Sequence, residues 1–264
     1  MNKNILLFIS VLTFTFVSCS SNNAKVNNDL KVYFDSSNVE GSFALLNNQL
    51  GKITVYNMKM DTLRVSPATS FKILNSLIGV QTGKITDENM IIKTDSSETK
   101  PLTLKEAFRK SSVPYFQAVA REIGKDTMRF WIDSIGYGNK NITGSVDSFW
   151  LNNKLKISPD EQLGFVSKLY FDQLPFQKYA QQMVRDVMLQ EDNTLYKYSY
   201  ATGAGLDEMG NPIGWVTGWI EENRHVYFFV TLLKSKDKNM DMTATGIKVT
   251  TGIMKSLGYF KGQK

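Results

Sequence analysis

The order of strand-like and helical segments along the chain limits the folds that it can adopt. Two short β-type runs flank an Asn- and Gly-containing turn within residues 42–56, and three more strands are predicted over 195–200, 215–220 and 226–233. Helix start and stop signals occupy the region between these groups, and a last helix is predicted over about residues 243–257. This order predicts an α+β fold, in which an antiparallel sheet built from N- and C-terminal segments carries an inserted helical lobe.

The bounds of that lobe follow from helix-capping signals. Thr103 to Glu106 is a capping box, Pro114 restarts a helix, and residues 158–161 combine a serine N-cap with a proline at the first helical position. We predict a lobe over roughly residues 84–190 inside a domain that covers residues 41–262. Ligand sites tend to form in the cleft between such parts of a molecule.

The first eighteen residues have the pattern of a secretory signal peptide. A short positive segment precedes an apolar run at residues 5–17 that is too short to span a bilayer. A small residue stands directly before Cys19, the only cysteine, which resembles a bacterial lipoprotein signal whose cysteine becomes lipidated. We predict a signal peptide at 1–18, lipidation of Cys19 and a tether at 19–40, in a periplasm-facing lipoprotein of the bacterial cell envelope. The alternative is a general secretory signal with an incidental cysteine.

Several kinds of site are excluded by the scarcity of cysteine and histidine. His225 is the one histidine, and it lies in a Glu/Asn/Arg segment that predicts a surface hairpin turn. A zinc site of the His/Cys type, a thiol protease and a disulfide are therefore not expected. The 31 basic residues form no block with interleaved aromatic residues, so we predict no nucleic-acid partner. A hydrolytic base must be a lysine, tyrosine or carboxylate, and no metal cofactor is expected.

Residues 67–72 carry a hydroxyl and a lysine at a spacing that suits acyl transfer. Thr69 and Lys72 precede an apolar helical run, and residues three apart project from the same face of a helix. A neutral lysine amine can accept the proton of a hydroxyl that attacks a carbonyl group. Ser70 cannot substitute for Thr69, because side chains two residues apart do not face each other. The alternative is a Thr or Ser N-cap followed by a solvated lysine.

Five short sequence boxes follow one another in the order of a known enzyme family. The box at 69–72 has the spacing of Ser-x-x-Lys in serine β-lactamases and penicillin-binding proteins. Four more match downstream: Ser111-Ser112-Val113, Tyr137-Gly138-Asn139, Asp147-Ser148-Phe149-Trp150-Leu151 and the strand at 214–219. From residue 40 to the C-terminus the chain therefore resembles the class D, oxacillinase-type β-lactamases.

The resemblance implies an acyl-enzyme site that needs no histidine. It implies catalytic roles for Thr69, Lys72, Ser111, Val113 and Trp150, with the lysine in an apolar pocket and the Ser111 hydroxyl relaying or holding protons. Burial disfavours the ammonium form of a lysine and lowers its pKa, which supplies a neutral amine that carbon dioxide can carbamylate. The resemblance also implies an oxyanion hole of backbone N–H groups. A β-lactam or a peptidoglycan stem peptide is the implied ligand.

Substrate-binding positions are also implied by the resemblance. They are Tyr137, Asn139, Ala201, Thr202 and Gly203.

Three positions depart from the family pattern. Thr69 stands where a nucleophilic serine is usual, and its extra methyl group crowds the hydroxyl and stiffens χ1. Ala201 replaces the lysine of a Lys-Thr/Ser-Gly box, and Gly246 occupies the place of a carboxylate-binding arginine, although Lys248 follows two residues later. The loss of one charged anchor costs about 1.5–3 kcal/mol of binding free energy.

These departures leave three interpretations. The first is a class D β-lactamase-family protein with impaired hydrolysis. The second is a working β-lactamase that uses the Thr69 hydroxyl as its nucleophile. The third is a non-catalytic module that binds a cell-wall peptide or a protein partner.

Overall fold

The structure is a computed structural model that describes residues 23–94 and 101–264. The predicted signal peptide at 1–18 and the predicted lipidation site Cys19 lie outside the described residues. Within the described ranges, none of the helices combines the length and the apolar character needed to span a bilayer.

One seven-stranded sheet forms the centre of the fold, with strand order β1-β3-β2-β9-β8-β7-β6. Its strands are β1 (Ala24–Val26), β2 (Glu40–Asn47), β3 (Lys52–Tyr56), β6 (Leu189–Asp192), β7 (Tyr196–Leu206), β8 (Pro212–Glu222) and β9 (His225–Lys234). Every pairing is antiparallel except that of β1 with β3. A separate antiparallel pair joins β4 (Ile91–Ile92) and β5 (Leu102–Thr103).

Most helices lie between the two groups of strands in the sequence. They are α1 (Lys31–Asp35), α2 (Met58–Asp61), α3 (Lys72–Gln81), α4 (Leu104–Lys110), α5 (Val113–Ile123), α6 (Lys125–Ile135), α7 (Pro159–Tyr170), α8 (Lys178–Met188) and α9 (Met242–Ser256). Short 3₁₀ turns cover Asn28–Leu30 and Ala68–Phe71. This arrangement confirms the predicted α+β class, with the sheet contributed by both ends of the chain.

Local sequence signals account for the element boundaries. The Thr103 and Ser158 capping boxes are both formed, and α5 and α6 end at the glycine C-caps Gly124 and Gly136. The β8–β9 hairpin turns through two residues with positive φ, at Asn223 and Arg224, which is the twist that two-residue hairpins favour. His225 therefore begins a strand at a hairpin end, and it is only partly buried.

The sheet separates two apolar cores, and neighbouring residues of β9 contribute their side chains to opposite cores. Phe228 and Val230 belong to the larger core beneath the helical lobe, whereas Phe229 and Leu233 belong to the core beneath α1 and α9. Side chains alternate between the two faces of a strand, so this near-continuous apolar run is what a central strand buried on both faces requires.

The structure differs from the predicted tether at residues 19–40. Residues 24–26 pair in parallel with β3, and α1 packs against α9 and β2. Leu30 and Phe34 are buried in the smaller core. Residues 24–40 therefore belong to the folded domain, and residues 19–22 of the predicted tether lie outside the described residues.

Candidate active site

A 3₁₀ turn at Ala68–Phe71 delivers Thr69 and Lys72 to the interior of the fold. The Thr69 hydroxyl accepts a hydrogen bond from the Ala204 backbone N–H at 2.9 Å, and the Ser70 hydroxyl donates to the Pro67 carbonyl at 2.6 Å. Lys72 is only 3% exposed. The alternative of an N-cap followed by a solvated lysine is therefore wrong, because the N-cap of this turn is Pro67 and the lysine is buried.

Two glycines of β7 allow this turn to lie directly against the strand. A Cβ atom added at Gly203 would collide with the backbone nitrogen and side chain of Ser70. One added at Gly205 would lie 2.6 Å from the Ala68 Cβ. The predicted site residue Gly203 is thus needed for close backbone approach, which places the Ala204 N–H within reach of Thr69.

Lys72 has one hydrogen-bond partner among the described residues, the Ser111 hydroxyl, with Nζ and Oγ 2.5 Å apart. Ser111 ends α4 in a left-handed conformation with φ of +51°, which is uncommon for a serine. The Lys72 Nζ also lies 4.8 Å from the centroid of the Phe108 ring. Burial lowers the pKa of the Lys72 amine to about 7, because no carboxylate offsets the loss of water around the charge.

The five residues predicted to be catalytic surround one small cavity of about 10 Å³. Its lining consists of Thr69, Lys72, Ser111, Ser112, Val113, Phe116 and Trp150. A volume of this size holds about one water molecule. The sequence therefore identified side chains from three separate segments that the fold brings together around a hydroxyl and a buried amine.

Aromatic rings hold the wall of this cavity in place. The Phe71 ring stacks on the Trp150 ring with centroids 5.1 Å apart, and Phe149 meets both rings edge-on. Ser66, a residue that sequence reasoning missed, donates its hydroxyl to the Trp150 carbonyl at 2.8 Å and accepts the Trp215 indole N–H at its own carbonyl, at 2.9 Å. These contacts fix the indole of Trp150 and shield the Lys72 pocket from water.

A second cavity, of about 90 Å³, lies beside the first and shares Lys72 with it. Its other lining residues are Phe108, Arg109, Gln190, Tyr200, Ala201, Thr202, Thr243 and Ile247. Two of the predicted substrate-binding residues, Ala201 and Thr202, are therefore placed next to the lysine. A larger depression of about 490 Å³ lies between α1 and the β7–β8 hairpin and includes none of the predicted residues.

Tyr137 and Asn139, also predicted to bind substrate, lie away from these cavities. The Tyr137 ring packs edge-on against Phe71, and its hydroxyl donates to the Gln162 side chain at 3.0 Å. Asn139 donates its side-chain amide to the Lys154 carbonyl at 2.8 Å and accepts the Lys156 N–H at 2.9 Å. Their contacts support a structural role, because both side chains organise the core and a loop.

The lost arginine position is closely packed. A Cβ atom at Gly246 would lie 2.9 Å from the Val216 side chain, so α9 approaches β8 more closely than a larger residue would permit. The glycine at this position therefore alters the packing of α9 on β8 as well as removing the positive charge.

No group of three or more His, Cys, Asp or Glu side chains within 23–94 and 101–264 could hold a metal ion. Lys72 and the Ser111 hydroxyl, which line the same cavity as Thr69, can accept and donate protons beside it.

Similarity to known proteins shows the family to which this domain belongs. A family model described as the penicillin-binding protein transpeptidase domain matches residues 22–257. Among characterised relatives, the probable β-lactamase YbxI of Bacillus subtilis is 35% identical over 254 residues, covering 93% of this chain and 92% of that protein. The β-lactamase OXA-5 of Pseudomonas aeruginosa is 34% identical over 84% of this chain and 87% of its own. The chain belongs to the class D β-lactamase family.

Solved structures agree with that assignment. The class D β-lactamase FUS-1 (OXA-85) of Fusobacterium nucleatum subsp. polymorphum superposes with a TM-score of 0.82 at 30% identity, covering 90% of this chain and 100% of that one. The C-terminal domain of the Bacillus licheniformis BlaR penicillin-receptor reaches a TM-score of 0.84 at 26% identity, covering 90% of this chain and 97% of that one.

Proposed function

We propose that this protein binds β-lactams and is acylated slowly at Thr69, with impaired hydrolysis compared with family members that have a serine there. The observation that carries the proposal is the position of the Thr69 hydroxyl. It borders the cavity of a buried, low-pKa lysine, yet its hydrogen bond is made to the Ala204 N–H.

Lys72 and Ser111 supply the proton transfers in this proposal. The Thr69 hydroxyl oxygen attacks the β-lactam carbonyl carbon, and its proton passes to the neutral Lys72 amine or to a carbamate formed from that amine. The carbon–nitrogen bond of the ring breaks, and the leaving nitrogen takes a proton back through the Ser111 hydroxyl, 2.5 Å from Nζ. Water then hydrolyses the ester and regenerates the threonine hydroxyl. The Ala204 N–H is within reach of the carbonyl oxygen that would become negative.

The threonine methyl group makes the attack difficult. No hydrogen bond joins Thr69 to Lys72 among the described residues, so the hydroxyl must turn toward Nζ, and the Cγ2 methyl group must rotate with it. The adjoining cavity of about 10 Å³ offers little room for that exchange. The hydroxyl also accepts from the N–H that would otherwise stabilise the oxyanion. Both effects slow acylation while they leave the base intact.

Intact-protein mass spectrometry with benzylpenicillin tests the proposal. We expect an adduct with the mass of protein plus intact drug that accumulates over minutes to hours and maps to Thr69 by peptide analysis. Nitrocefin turnover should be far below that of a relative with serine at this position, measured in parallel. Rapid nitrocefin turnover would contradict impaired hydrolysis, and no adduct at millimolar drug would remove Thr69 as a nucleophile.

Two covalent modifications are also proposed, one at Lys72 and one at Cys19. We propose that Lys72 takes up carbon dioxide as a carbamate, since a neutral buried amine is the form that reacts. We also propose that Cys19 carries a lipid anchor that holds the domain on the periplasmic side of a membrane. When cells that produce Cys19→Ser are fractionated, the variant should appear in the soluble fraction. Recovery of this variant with the membranes at the wild-type level would refute the anchor.

A receptor-like binding module is the second candidate, and one observation favours it. The fold superposes closely on the BlaR penicillin-receptor domain. In this reading a β-lactam or a peptidoglycan stem peptide occupies the cleft without turnover. An adduct that forms and then persists after removal of free drug supports this reading, whereas an adduct that decays to active protein supports the enzyme.

A further inference from the structure

We propose that Arg109 holds the carboxylate of the ligand in this protein, through the cavity of about 90 Å³ beside Ala201. The inference rests on the proposed function, because it names the cation that positions an anionic β-lactam for Thr69. It assigns the anchoring role to a residue of α4, where the sequence boxes gave no indication of one.

The cavity exists because residue 201 is short. Ala201 and Thr202 line it from β7, Thr243 and Ile247 from α9, and Arg109 from the end of α4. A lysine at position 201 would extend a four-carbon side chain from this wall. Alanine instead leaves a polar-lined space that connects the solvent-exposed Arg109 with the buried Lys72.

Three of the polar side chains that line this space are not engaged by other residues of the described ranges. Arg109 forms no ion pair with any residue in the described ranges, although Lys105 on the same helix pairs with Glu88. The Thr202 and Thr243 hydroxyls likewise have no hydrogen-bond partner within residues 23–94 and 101–264. A guanidinium and two hydroxyl donors around one cavity form a suitable environment for a carboxylate.

No other lining residue can supply a permanent positive charge. Burial lowers the pKa of Lys72 to about 7, so its amine is largely uncharged above neutral pH. Gly246 has no side chain, and exposed Lys248 on α9 is not part of the lining. The guanidinium of Arg109 is therefore the cation that this lining offers to an anionic ligand.

The position also suits the chemistry at Thr69. Lys72 borders both cavities, so the space that Arg109 lines and the space that Thr69 lines meet at the same side chain. In a penicillin only a short chain of bonds separates the carboxylate from the reactive ring carbonyl. Binding the carboxylate would therefore direct the ring carbonyl toward the threonine hydroxyl.

The test compares Arg109→Ala, Arg109→Lys and a matched control, Lys110→Ala, which removes the adjacent exposed cation outside the cavity lining. Acylation rates are measured by mass spectrometry with benzylpenicillin and with its methyl ester, which lacks the carboxylate charge. Arg109→Ala should slow acylation by benzylpenicillin about 10- to 100-fold. With the ester it should change the rate by less than about twofold, as should Lys110→Ala with either compound. Arg109→Lys should recover part of the loss.

Equal losses in Arg109→Ala and Lys110→Ala, or an equal loss with the ester, would overturn the assignment. If the wild-type protein forms no adduct with either compound, the acylation proposal fails, and a binding measurement decides the role of Arg109. In protein labelled with nitrogen-15 arginine, the Nε–H signal that Arg109→Lys removes should shift with benzylpenicillin and stay in place with the ester. No shift with benzylpenicillin would overturn the assignment independently of catalysis.

Discussion

Thr69→Ser should accelerate acylation by benzylpenicillin by about 100-fold, equivalent to about 2.7 kcal/mol of transition-state stabilisation. The change removes one methyl group and retains the hydroxyl. A serine can populate all three χ1 rotamers, so its oxygen can move from the Ala204 N–H to the Lys72 side without placing a methyl group in the small cavity. The rate constant for adduct formation, measured by mass spectrometry, gives the result directly.

The matched control for this prediction lies at the C-terminal end of α3, the helix that follows the turn carrying Thr69. Thr82→Ser removes the same methyl group from a threonine whose hydroxyl bonds to the Ile78 carbonyl, far from the cavity. Its acylation rate should equal that of the wild-type protein. If Thr69→Ser folds normally and is no faster, the nucleophile does not limit the reaction, and the missing anion anchors at 201 and 246 become the cause.

A further comparison separates acylation from deacylation in the serine variant. The methyl group of Thr69 also crowds the ester carbonyl that water must attack in the second step. Thr69→Ser should therefore raise nitrocefin turnover as well as adduct formation. Faster adduct formation with unchanged turnover would show that deacylation is blocked elsewhere in the site, which favours the receptor-like reading.

The sequence predicted the parts of this site that depend on local patterns. A hydroxyl and a lysine three residues apart had to share a helix face, and Ser111 and Val113 stood at a helix junction that Pro114 marks. The hairpin at Asn223 and the capping boxes follow from turn and cap chemistry. These features need no knowledge of distant contacts.

The features that sequence reasoning missed depend on tertiary contacts. Ala204 acts through its backbone N–H, which carries no mark in the sequence, and it reaches Thr69 only because glycines let β7 approach the 3₁₀ turn. Tyr137 matches a family box, yet it is buried behind Phe71. Residues 24–26 form a parallel edge strand too short for a periodicity signal.

Lys72 should make the stability of the folded protein depend on pH. Its pKa in the folded protein is about 7, below the ordinary value of 10.5. Between these values the unfolded chain binds one more proton than the folded protein, so the free energy of unfolding rises with pH. The contribution is fully present above pH 10.5 and is lost as the pH falls through about 7. Its slope is about 1.4 kcal/mol per pH unit.

Denaturant unfolding in carbon dioxide-free buffer at pH 7.5 and 9.5 measures this effect. The wild-type protein should gain roughly 2–3 kcal/mol over that interval relative to Lys72→Met, which has a side chain of similar length and no charge. Lys110→Met, a change at an exposed lysine, should retain the wild-type slope. This pH interval lies above the pKa of Asp61, which burial raises to about 7. At lower pH the titration of Asp61 would make the free energy of unfolding change in the direction opposite to that caused by Lys72.

The same neutral amine should react with carbon dioxide, which gives an independent check on the pocket. In labelled bicarbonate near pH 8, a carbon-13 carbamate signal should appear, disappear at acid pH as the amine takes up a proton, and be missing from Lys72→Met. Trp150→Ala should abolish the signal in a folded protein, because water then solvates the ammonium form and raises the pKa of Lys72. A wild-type protein with neither the stability slope nor the carbamate would have a charged lysine at neutral pH. Thr69 would then lack a base, and the receptor-like reading would replace the enzymatic one.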